Sequence, residues 1–340
     1  MVDTMFDRSV KIKVAIIFLH FASCLAVDSL RFLVMGDWGG LPTVPYTTSI
    51  ETGTAKAMGA LTSTYGTQFN LALGDNFYFD GVKTVTDARF KVQLTDARFK
   101  ETFDKVFTDP SLQKTPFYLV AGNHDHNGNV SAQIAYSKVE DRWNFPDYYY
   151  KLNFPIPGSQ MSVDIIMIDT VLLCGNSDHD FLVKQPKGPA NQKVADDQLT
   201  WIEKQIQTSN ASYLLVAGHY PVYSIAEHGP TDCLIDKLLP TLQKYKITAY
   251  LSGHDHNLQH LLVTRPGLKM NFFVSGGANF ADKSNKHKNE VPDKSSKFFW
   301  AEESQHGGFA YVEALATNMT WTFVNGKSEN LYQYVLYPRS

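Results

Sequence analysis

Five short apolar runs in this sequence each end in a glycine that is followed at once by Asp, Asn or His. The junctions are Gly36-Asp37, Gly74-Asp75, Gly122-Asn123, Gly218-His219 and Gly253-His254. The runs before them are rich in β-branched and aliphatic residues, which is typical of buried strands. Ligands of open α/β sheets bind beyond the carboxyl ends of such strands. The pattern therefore predicts that five strand ends form one site.

The elements between and after these junctions predict the fold class. Stretches that suit helices alternate with the strands at 54–65, 99–107, 196–207 and 233–245, the last of these broken at Pro240. Four later strands, with little helix between them, are predicted at 271–274, 308–313, 319–324 and 332–336. We predict an α/β protein with two stacked sheets and helices outside, an αββα sandwich whose C-terminal strands form an antiparallel group.

The composition is that of an ordinary globular protein. The chain has 340 residues, of which 44% are hydrophobic, and a formal net charge of −3. Because there is no basic excess, nucleic acid is not expected as a partner. No low-complexity linker divides the sequence, so we predict one domain over residues 27–340, and we expect a monomer.

Residues 1–26 have the pattern of a cleaved secretory signal peptide. Arg8, Lys11 and Lys13 precede an apolar run over 14–25 that is too short to span a bilayer. A short membrane anchor is the alternative, and no later stretch is long and apolar enough to span. Three Asn-x-Ser/Thr triplets agree with export through the secretory pathway. These candidate N-glycan sites are Asn129, Asn210 and Asn318.

Removal of the signal would leave two of the three cysteines. Cys24 lies within the signal, and Cys174 and Cys233 remain. An even pair in an oxidising compartment predicts one disulfide, with two buried free thiols as the alternative.

Three further segments interrupt the regular pattern. Residues 175–197 form a long polar loop with two prolines, which indicates a lid or a flexible segment. Residues 282–297 are rich in Lys, Asn and Ser and are predicted to be a solvated surface loop. Residues 86–91 recur as 95–100, and nine residues of helix make about two and a half turns. The two copies would then face opposite sides, so we predict an irregular excursion over 86–94.

The side chains at the five junctions are all types that bind metal ions. A single Asp after Gly is usually a turn residue, and a single Tyr after a strand is usually core. Here the junctions occur together with Tyr78, three residues after Asp75, and with the triplet His254-Asp255-His256. This combination predicts a metal site.

The blocks around these residues resemble the purple acid phosphatases of the small animal type. In order and spacing the matching blocks read GDWGG, GDNFY, GNHDH, GHYP and GHDHN. The resemblance runs from about Leu30 to at least Gly277. It implies a metallophosphoesterase-like fold, a two-sheet αββα sandwich with a binuclear metal site at the strand carboxyl ends.

The resemblance also implies which residues bind each metal. The implied ligands of Fe(III) are Asp37, Asp75, Tyr78 and His256. Asp75 is shared with a second ion, Fe(II), for which Zn or Mn is the alternative. The other implied ligands of the second ion are Asn123, His219 and His254. Carboxylate and phenolate oxygens are hard ligands and suit a trivalent ion.

The implied function is that of a secreted or lysosomal acid phosphatase. A metal-bound hydroxide attacks phosphomonoesters such as phosphoproteins, nucleotides and aryl phosphates. His124, His228 and Glu227 are the implied substrate-side residues, and Asp125 and Asp255 are expected to orient neighbouring histidines. The family also implies that a protease cuts the 175–197 loop and activates the enzyme. The alternatives are a Zn or Mn phosphodiesterase or nucleotidase, which Tyr78 disfavours, and additional iron-dependent formation of reactive oxygen species.

Overall fold

The structure is a computed structural model that describes residues 29–83, 98–176 and 186–339. The strands of the described residues are β1 (Leu30–Met35), β2 (Phe69–Ala72), β3 (Phe117–Leu119), β4 (Trp143–Asn144), β5 (Tyr150–Pro155), β6 (Ser162–Met167), β7 (Tyr213–Ala217), β8 (Ala249–Ser252), β9 (Leu258–Arg265), β10 (Leu268–Ser275), β11 (Ser296–Trp300), β12 (Gly308–Ala314), β13 (Met319–Asn325) and β14 (Asn330–Leu336). The helices are α1 (Ser49–Tyr65), α2 (Asn123–His126), α3 (Val130–Tyr136), α4 (Thr170–Cys174), α5 (Gln192–Gln207), α6 (Asp232–Lys237) and α7 (Leu239–Lys244).

The strands form two mixed sheets of seven strands each. The first sheet has the order β14-β13-β12-β1-β2-β3-β4, and the second has the order β11-β9-β10-β8-β7-β6-β5. β1 to β4 are parallel, as are β6, β7, β8 and β10, whereas the outer strands pair antiparallel. The predicted two-sheet α/β sandwich is confirmed.

Aromatic side chains join the two sheets. The ring of Phe69 in β2 stacks on that of Phe154 in β5, with 4.0 Å between centroids. The ring of Phe273 in β10 stacks on that of Trp321 in β13, with 4.2 Å between centroids. These contacts add to the hydrophobic burial of both rings. They hold the sheets at a fixed spacing, so the strand ends of one sheet face those of the other.

The central strand β7 is apolar at every position, without the alternation of apolar and polar residues that is typical of a half-buried strand. Tyr213, Leu215 and Ala217 belong to the core between the sheets. Leu214 and Val216 belong to a second core, under the helices on the outer face of the second sheet. A strand buried on both faces reads as a continuous apolar run.

Several helices differ from their predicted bounds. α1 begins five residues before the predicted start, because Thr48 caps it by accepting a hydrogen bond from the amide of Glu51. α5 begins at Gln192, capped by Asn191, so the predicted loop 175–197 is wrong in its last six residues. The stretch 233–245 forms two helices, α6 and α7, with Pro240 in the first turn of α7, which confirms the break.

The predicted helix over 99–107 is also shorter than expected. Only Phe99–Asp104 is helical, as a single π-helical turn. The aromatic residues of this stretch still enter the core, where Phe99 and Phe103 contact the ring of Trp143. The spacing of the aromatic residues thus identified the buried side of the segment, but not its helix length.

The later strands do not form one antiparallel group. β12, β13 and β14 do pair antiparallel in the first sheet, but β10 lies in the second sheet beside β8. β4, β5, β9 and β11 were not predicted. The predicted loop 282–297 is wrong at its end, since Ser296 begins β11, and His287 within it is buried.

Three predictions lie outside the described residues. They are the signal peptide over 1–26, the excursion over 86–94 and the central part of the loop, 177–185. Among the residues that are described, none of the helices combines the length and apolarity that crossing a bilayer requires.

The predicted disulfide is confirmed. Cys174 at the end of α4 bonds to Cys233 in α6, with Cα atoms 5.8 Å apart. The bond closes a loop between residues 59 positions apart in sequence. It fixes the end of α4, where the loop that follows begins.

We expect the disulfide to stabilise the fold mainly by restricting the unfolded chain. Replacing both cysteines by serine should lower the free energy of unfolding by about 2–4 kcal/mol, measured by urea denaturation. Wild-type protein unfolded with a reductant should match the double variant. Recovery of Cys174 and Cys233 as alkylatable thiols from the native, unreduced protein would contradict the bond.

Candidate metal centre

Five strand ends from both sheets meet at one edge of the sandwich, as the junction pattern predicts. β1, β2 and β3 of the first sheet end just before Asp37, Asp75 and Asn123. β7 and β8 of the second sheet end just before His219 and His254. All five side chains are buried, with at most 3% of each residue exposed.

One group of donor atoms comes from Asp37, Tyr78 and His256. The hydroxyl of Tyr78 lies 3.1 Å from Oδ1 of Asp37 and 3.0 Å from Nε2 of His256. The same Nε2 lies 3.7 Å from Oδ1 of Asp37. Two oxygens and one nitrogen thus face a common point.

A second group comes from Asp75, Asn123, His219 and His254. Nε2 of His219 lies 3.5 Å from Oδ2 of Asp75 and 2.9 Å from Oδ1 of Asn123. Ligand atoms of Asp75, His219 and His254 all lie within 4.8 Å of one another. The peptide carbonyl of Leu73 lies 2.8 Å from Nδ1 of His219, which leaves Nε2 directed at the group.

The backbone of three of these residues is left-handed. The φ angles are 58° at Asp37, 50° at Asp75 and 72° at His254. Residues other than glycine adopt this region rarely, and strain of this kind is found where a fold holds functional groups in place. Hydrogen bonds maintain it here: the amide of Asp37 donates to the carbonyl of Gly74, and the amide of His254 donates to Oδ2 of Asp37.

Two of the junction glycines leave room for these carboxylates. A Cβ atom on Gly122 would lie 2.2 Å from Oδ1 of Asp75, and one on Gly253 would lie 2.4 Å from Oδ2 of Asp37. Neither distance is compatible with a side chain. The glycines at these junctions are therefore required by close approach of a neighbouring loop.

Without a metal ion, the protein environment shifts the pKa values of two donor histidines and of Tyr78 so that their neutral forms are favoured. Burial, with the nearby His228, lowers the pKa of His254 well below its usual range, and the same causes lower that of His256 to about 3. These imidazoles are neutral and offer lone pairs. Burial raises the pKa of the Tyr78 hydroxyl, and the charges of Asp37 and Asp75 raise it further. The phenol of Tyr78 can therefore ionise beside these two carboxylates only when a bound cation supplies positive charge.

Asp75 and His219 behave as an ion pair without a metal. Burial alone would raise the pKa of Asp75, but the facing charges of His219 and His124 lower it well below its usual range. Burial would lower the pKa of His219, but Asp75 outweighs it and raises the value to about 10. A cation that binds Asp75 would replace the proton on His219.

The two flanking aspartates support the site differently from one another. Asp125 accepts hydrogen bonds from the amides of Gly122, Asn76 and Phe77 and from the side chain of Gln133. It therefore joins the loops after β2 and β3, and its hydrogen bonds within the described part of the chain go to backbone amides and Gln133 and not to a histidine ring, unlike the expectation. Asp255 accepts the amide of His228, so it holds the segment that carries this histidine.

The predicted substrate-side residues take separate positions. The amide of His124 donates to Oδ1 of Asp75, and its Nε2 lies 3.9 Å from Oδ2 of the same residue. The ring of His228 lies 4.2 Å from that of His254. Both histidines border the donor groups. Glu227 instead forms an ion pair with Lys286.

Two features near the site were not singled out from the sequence. His126 lies 2.7 Å from a carboxylate oxygen of Asp169, which also caps α4. Phe79 and Phe280 lie beside His124 and His256. His126 stands in the quoted GNHDH block, but its pairing with Asp169 depends on tertiary structure.

The residues present fit a pair of metal ions. One donor group is rich in hard oxygens and the other has two imidazoles and an amide, which suit different ions. Asp75 lies between them, since it contacts His219 and also raises the pKa of Tyr78. Six of these seven donors are buried and His256 is partly exposed, so the fold holds most of the arrangement in place before any ion binds.

Two stacked sheets with such a site at the strand ends define a calcineurin-like phosphoesterase, and the model of that family matches residues 30–258. Tartrate-resistant acid phosphatase type 5 of Sus scrofa is 52% identical over 304 residues, which cover 89% of this chain and 86% of the relative. Purple acid phosphatase 7 of Arabidopsis thaliana is 33% identical over 74% of this chain and 71% of the relative. The chain belongs to the tartrate-resistant acid phosphatase type 5 family of the purple acid phosphatases and is a phosphatase.

A solved structure agrees on the fold. The protein titled GAP50, the anchor in the inner membrane complex of Plasmodium, superimposes with a TM-score of 0.74, covering 92% of this chain and 90% of the other. The two sequences are 24% identical, so the likeness concerns architecture alone.

The close approach at Gly122 gives a direct test of the site geometry. Gly122→Ala should displace the carboxylate of Asp75 and lower the metal content and kcat/KM by about tenfold or more, because ligand orientation controls both. Gly277→Ala is the matched control, since its added Cβ would have no neighbour closer than 3.7 Å. Metal analysis and kinetics should separate the two variants, and equal behaviour would contradict the steric argument.

Proposed function

We propose that the chain is an acid phosphatase that hydrolyses phosphomonoesters at a binuclear iron centre. The observation that supports it most is the division of seven donors, of which all but the partly exposed His256 are buried, into an oxygen-rich and a nitrogen-rich group with Asp75 between them. Asp37, Tyr78, Asp75 and His256 would hold Fe(III). The second ion, Fe(II), would be held by Asp75, Asn123, His219 and His254, with Zn or Mn as the alternative.

The bound metal pair would supply the positive charge that activates water and neutralises phosphoryl oxygens. The chain contributes the geometry. Burial excludes bulk water from the donors, and the left-handed turns at Asp37, Asp75 and His254 fix their directions. A phosphate that enters from the exposed side would meet these groups without a large rearrangement.

In this proposal, His124 and His228 serve the substrate. Nδ1 of His124 lies 2.7 Å from the carbonyl of Phe79, so Nε2 is left to face the site. Asp255 holds the backbone of His228 near His254. Each imidazole can hold a phosphoryl oxygen, and in its protonated form can give a proton to the leaving group. Glu227, which is paired with Lys286, acts on the position of the His228 segment.

The cellular setting belongs to the same proposal. A secretory signal over 1–26, export to the lysosome or the cell exterior, and N-glycans at Asn129, Asn210 and Asn318 are consistent with the Cys174–Cys233 disulfide. Phosphoproteins, nucleotides and aryl phosphates are the proposed substrates. Cleavage of the loop that begins at Gly175 would leave its ends held by the disulfide and by α5.

Tyr78→Phe tests the iron assignment. The variant should bind iron yet lose the purple band that tyrosinate gives with Fe(III), and kcat/KM should fall by about tenfold or more because one anionic ligand is lost. Tyr250→Phe is the control: it removes a buried hydroxyl, which donates to the carbonyl of Tyr220, outside the donor groups. An iron-loaded Tyr78→Phe protein that keeps its visible absorption would disprove the ligand role.

Asp75→Asn and His254→Ala test the sharing of Asp75. Asp75→Asn should reduce both metals, because it removes the anionic ligand common to the two groups. His254→Ala should reduce mainly the divalent metal and retain about one ion per chain. Metal-to-protein ratios of the two purified variants measure this, and equal losses would rule out two separate pockets.

A further inference from the structure

The candidate site has a buried floor and a partly exposed rim. The floor is formed by the buried metal-ligand side chains, of which Asp37, Tyr78 and His219 are fully buried, whereas the ligand His256 reaches the rim. On one side of the rim, among the described residues, lie the rings of His124, His256, Phe79 and Phe280. Phe79 is 43% exposed, although it directly follows the buried Tyr78. A phosphomonoester whose phosphoryl group reaches the floor must place its leaving group against the rim.

The four rim rings form a continuous row. The ring of Phe79 lies 5.5 Å from that of His124 and 6.1 Å from that of Phe280, with only 18° between the planes of the two phenyl rings. Phe280 in turn lies 5.2 Å from the ring of His256. The row therefore joins a substrate-side histidine to a metal-ligand histidine through two apolar rings.

Phe79 and Phe280 are each held in position by neighbouring residues. The edge of Phe280 packs on Tyr78, with centroids 4.9 Å apart. The backbone carbonyl of Phe79 contacts Nδ1 of His124 and accepts a hydrogen bond from the side chain of Asn127. These contacts fix the backbone of Phe79 and leave part of its side chain open.

From this arrangement we propose that Phe79 and Phe280 form a subsite for an aromatic leaving group. The subsite rests on the proposed phosphatase function and adds a preference to it. A phenyl ring attached to the ester oxygen, as in phosphotyrosine, can lie against these rings in offset or edge-to-face contact. The side chain of phosphoserine has no ring and gains none of this contact.

The segment that carries His228 has a different character. There the ion pair of Glu227 and Lys286 lies beside the segment that carries His228. Charged groups that already pair with each other offer little to an uncharged ring. The side of the rim formed by Phe79 and Phe280 is thus the one that distinguishes an aryl from an alkyl ester. It does so when the substrate binds, before the ester bond is hydrolysed.

The experiment compares two substrates on three proteins. Wild type, Phe79→Leu and Phe79→Ala are assayed with O-phosphotyrosine and O-phosphoserine, and each substrate is referred to its own wild-type value, so the intrinsic reactivity of the esters cancels. For Phe79→Ala, kcat/KM for phosphotyrosine should fall about five- to tenfold relative to phosphoserine, mostly through KM. Phe79→Leu keeps an apolar side chain without a ring, so its selectivity for phosphotyrosine over phosphoserine should lie between those of wild type and Phe79→Ala.

Binding without turnover gives a second readout. The dissociation constants of phenylphosphonate and methylphosphonate should differ less for Phe79→Ala than for wild type. Tyr65→Ala is the control, because Tyr65 is 49% exposed at the end of α1 and its ring contacts Tyr311 in β12. This variant should keep the wild-type selectivity and metal content.

The possible failures can be told apart. If wild type hydrolyses neither ester, the proposed phosphatase function is overturned and the subsite with it. If wild type hydrolyses both but Phe79→Ala keeps the wild-type selectivity within about twofold, the subsite alone is overturned. A Phe79→Ala protein that loses both activities equally, together with its metal, would show that the ring is structural.

Discussion

The structure depends on the meeting of two carboxylates and a phenol in a space closed to water. Asp37, Asp75 and Tyr78 are each buried almost completely, and burial disfavours their charged forms. Charges of one sign at such short range can coexist only around a cation. The same burial that makes this site costly without a metal ion favours the binding of an ion with more than one positive charge. The surrounding fold holds the donors in place against that cost.

Each sheet alone supplies only part of the donor set, so the packing between the sheets determines the site. Asp37 comes from the first sheet and His254 from the second, and a hydrogen bond of 2.7 Å joins Oδ2 of the former to the amide of the latter. That bond requires Gly253, since any Cβ atom there would overlap the same oxygen. Aromatic stacks such as Phe273 on Trp321 keep the sheets at the distance at which this contact forms.

Sequence reasoning identified the strand ends because the constraint on them is local. A buried strand followed by glycine and a ligand-type residue can be read from a few neighbouring positions, and all five junctions lie where they were predicted. The helix starts were less predictable, since a single cap such as Thr48 or Asn191 moves a boundary by four or five residues.

What the sequence did not reveal depends on distant partners. β9 was not predicted because it buries polar side chains. Its Gln259 and His260 form hydrogen bonds with residues of other segments, among them Ser224 and Asn271. Asp125 was expected to orient a histidine, yet it joins backbone amides of two loops. The ring of Phe79 reads as one more apolar residue in the GDNFYF stretch, and its position on the rim follows from tertiary packing.

The backbone and the side chain of Phe79 take part in different contacts, which limits how far a change of its ring affects the residues of the floor. Its carbonyl contacts His124, and any residue at this position can provide that carbonyl. Its ring lies on the rim, where it would meet the leaving group, and it also packs against the ring of Tyr78 below, with centroids 5.4 Å apart. A fold that requires rigid ligands on its floor can in this way change its preferred ester through single side chains at the rim, provided that the new side chain still packs against Tyr78.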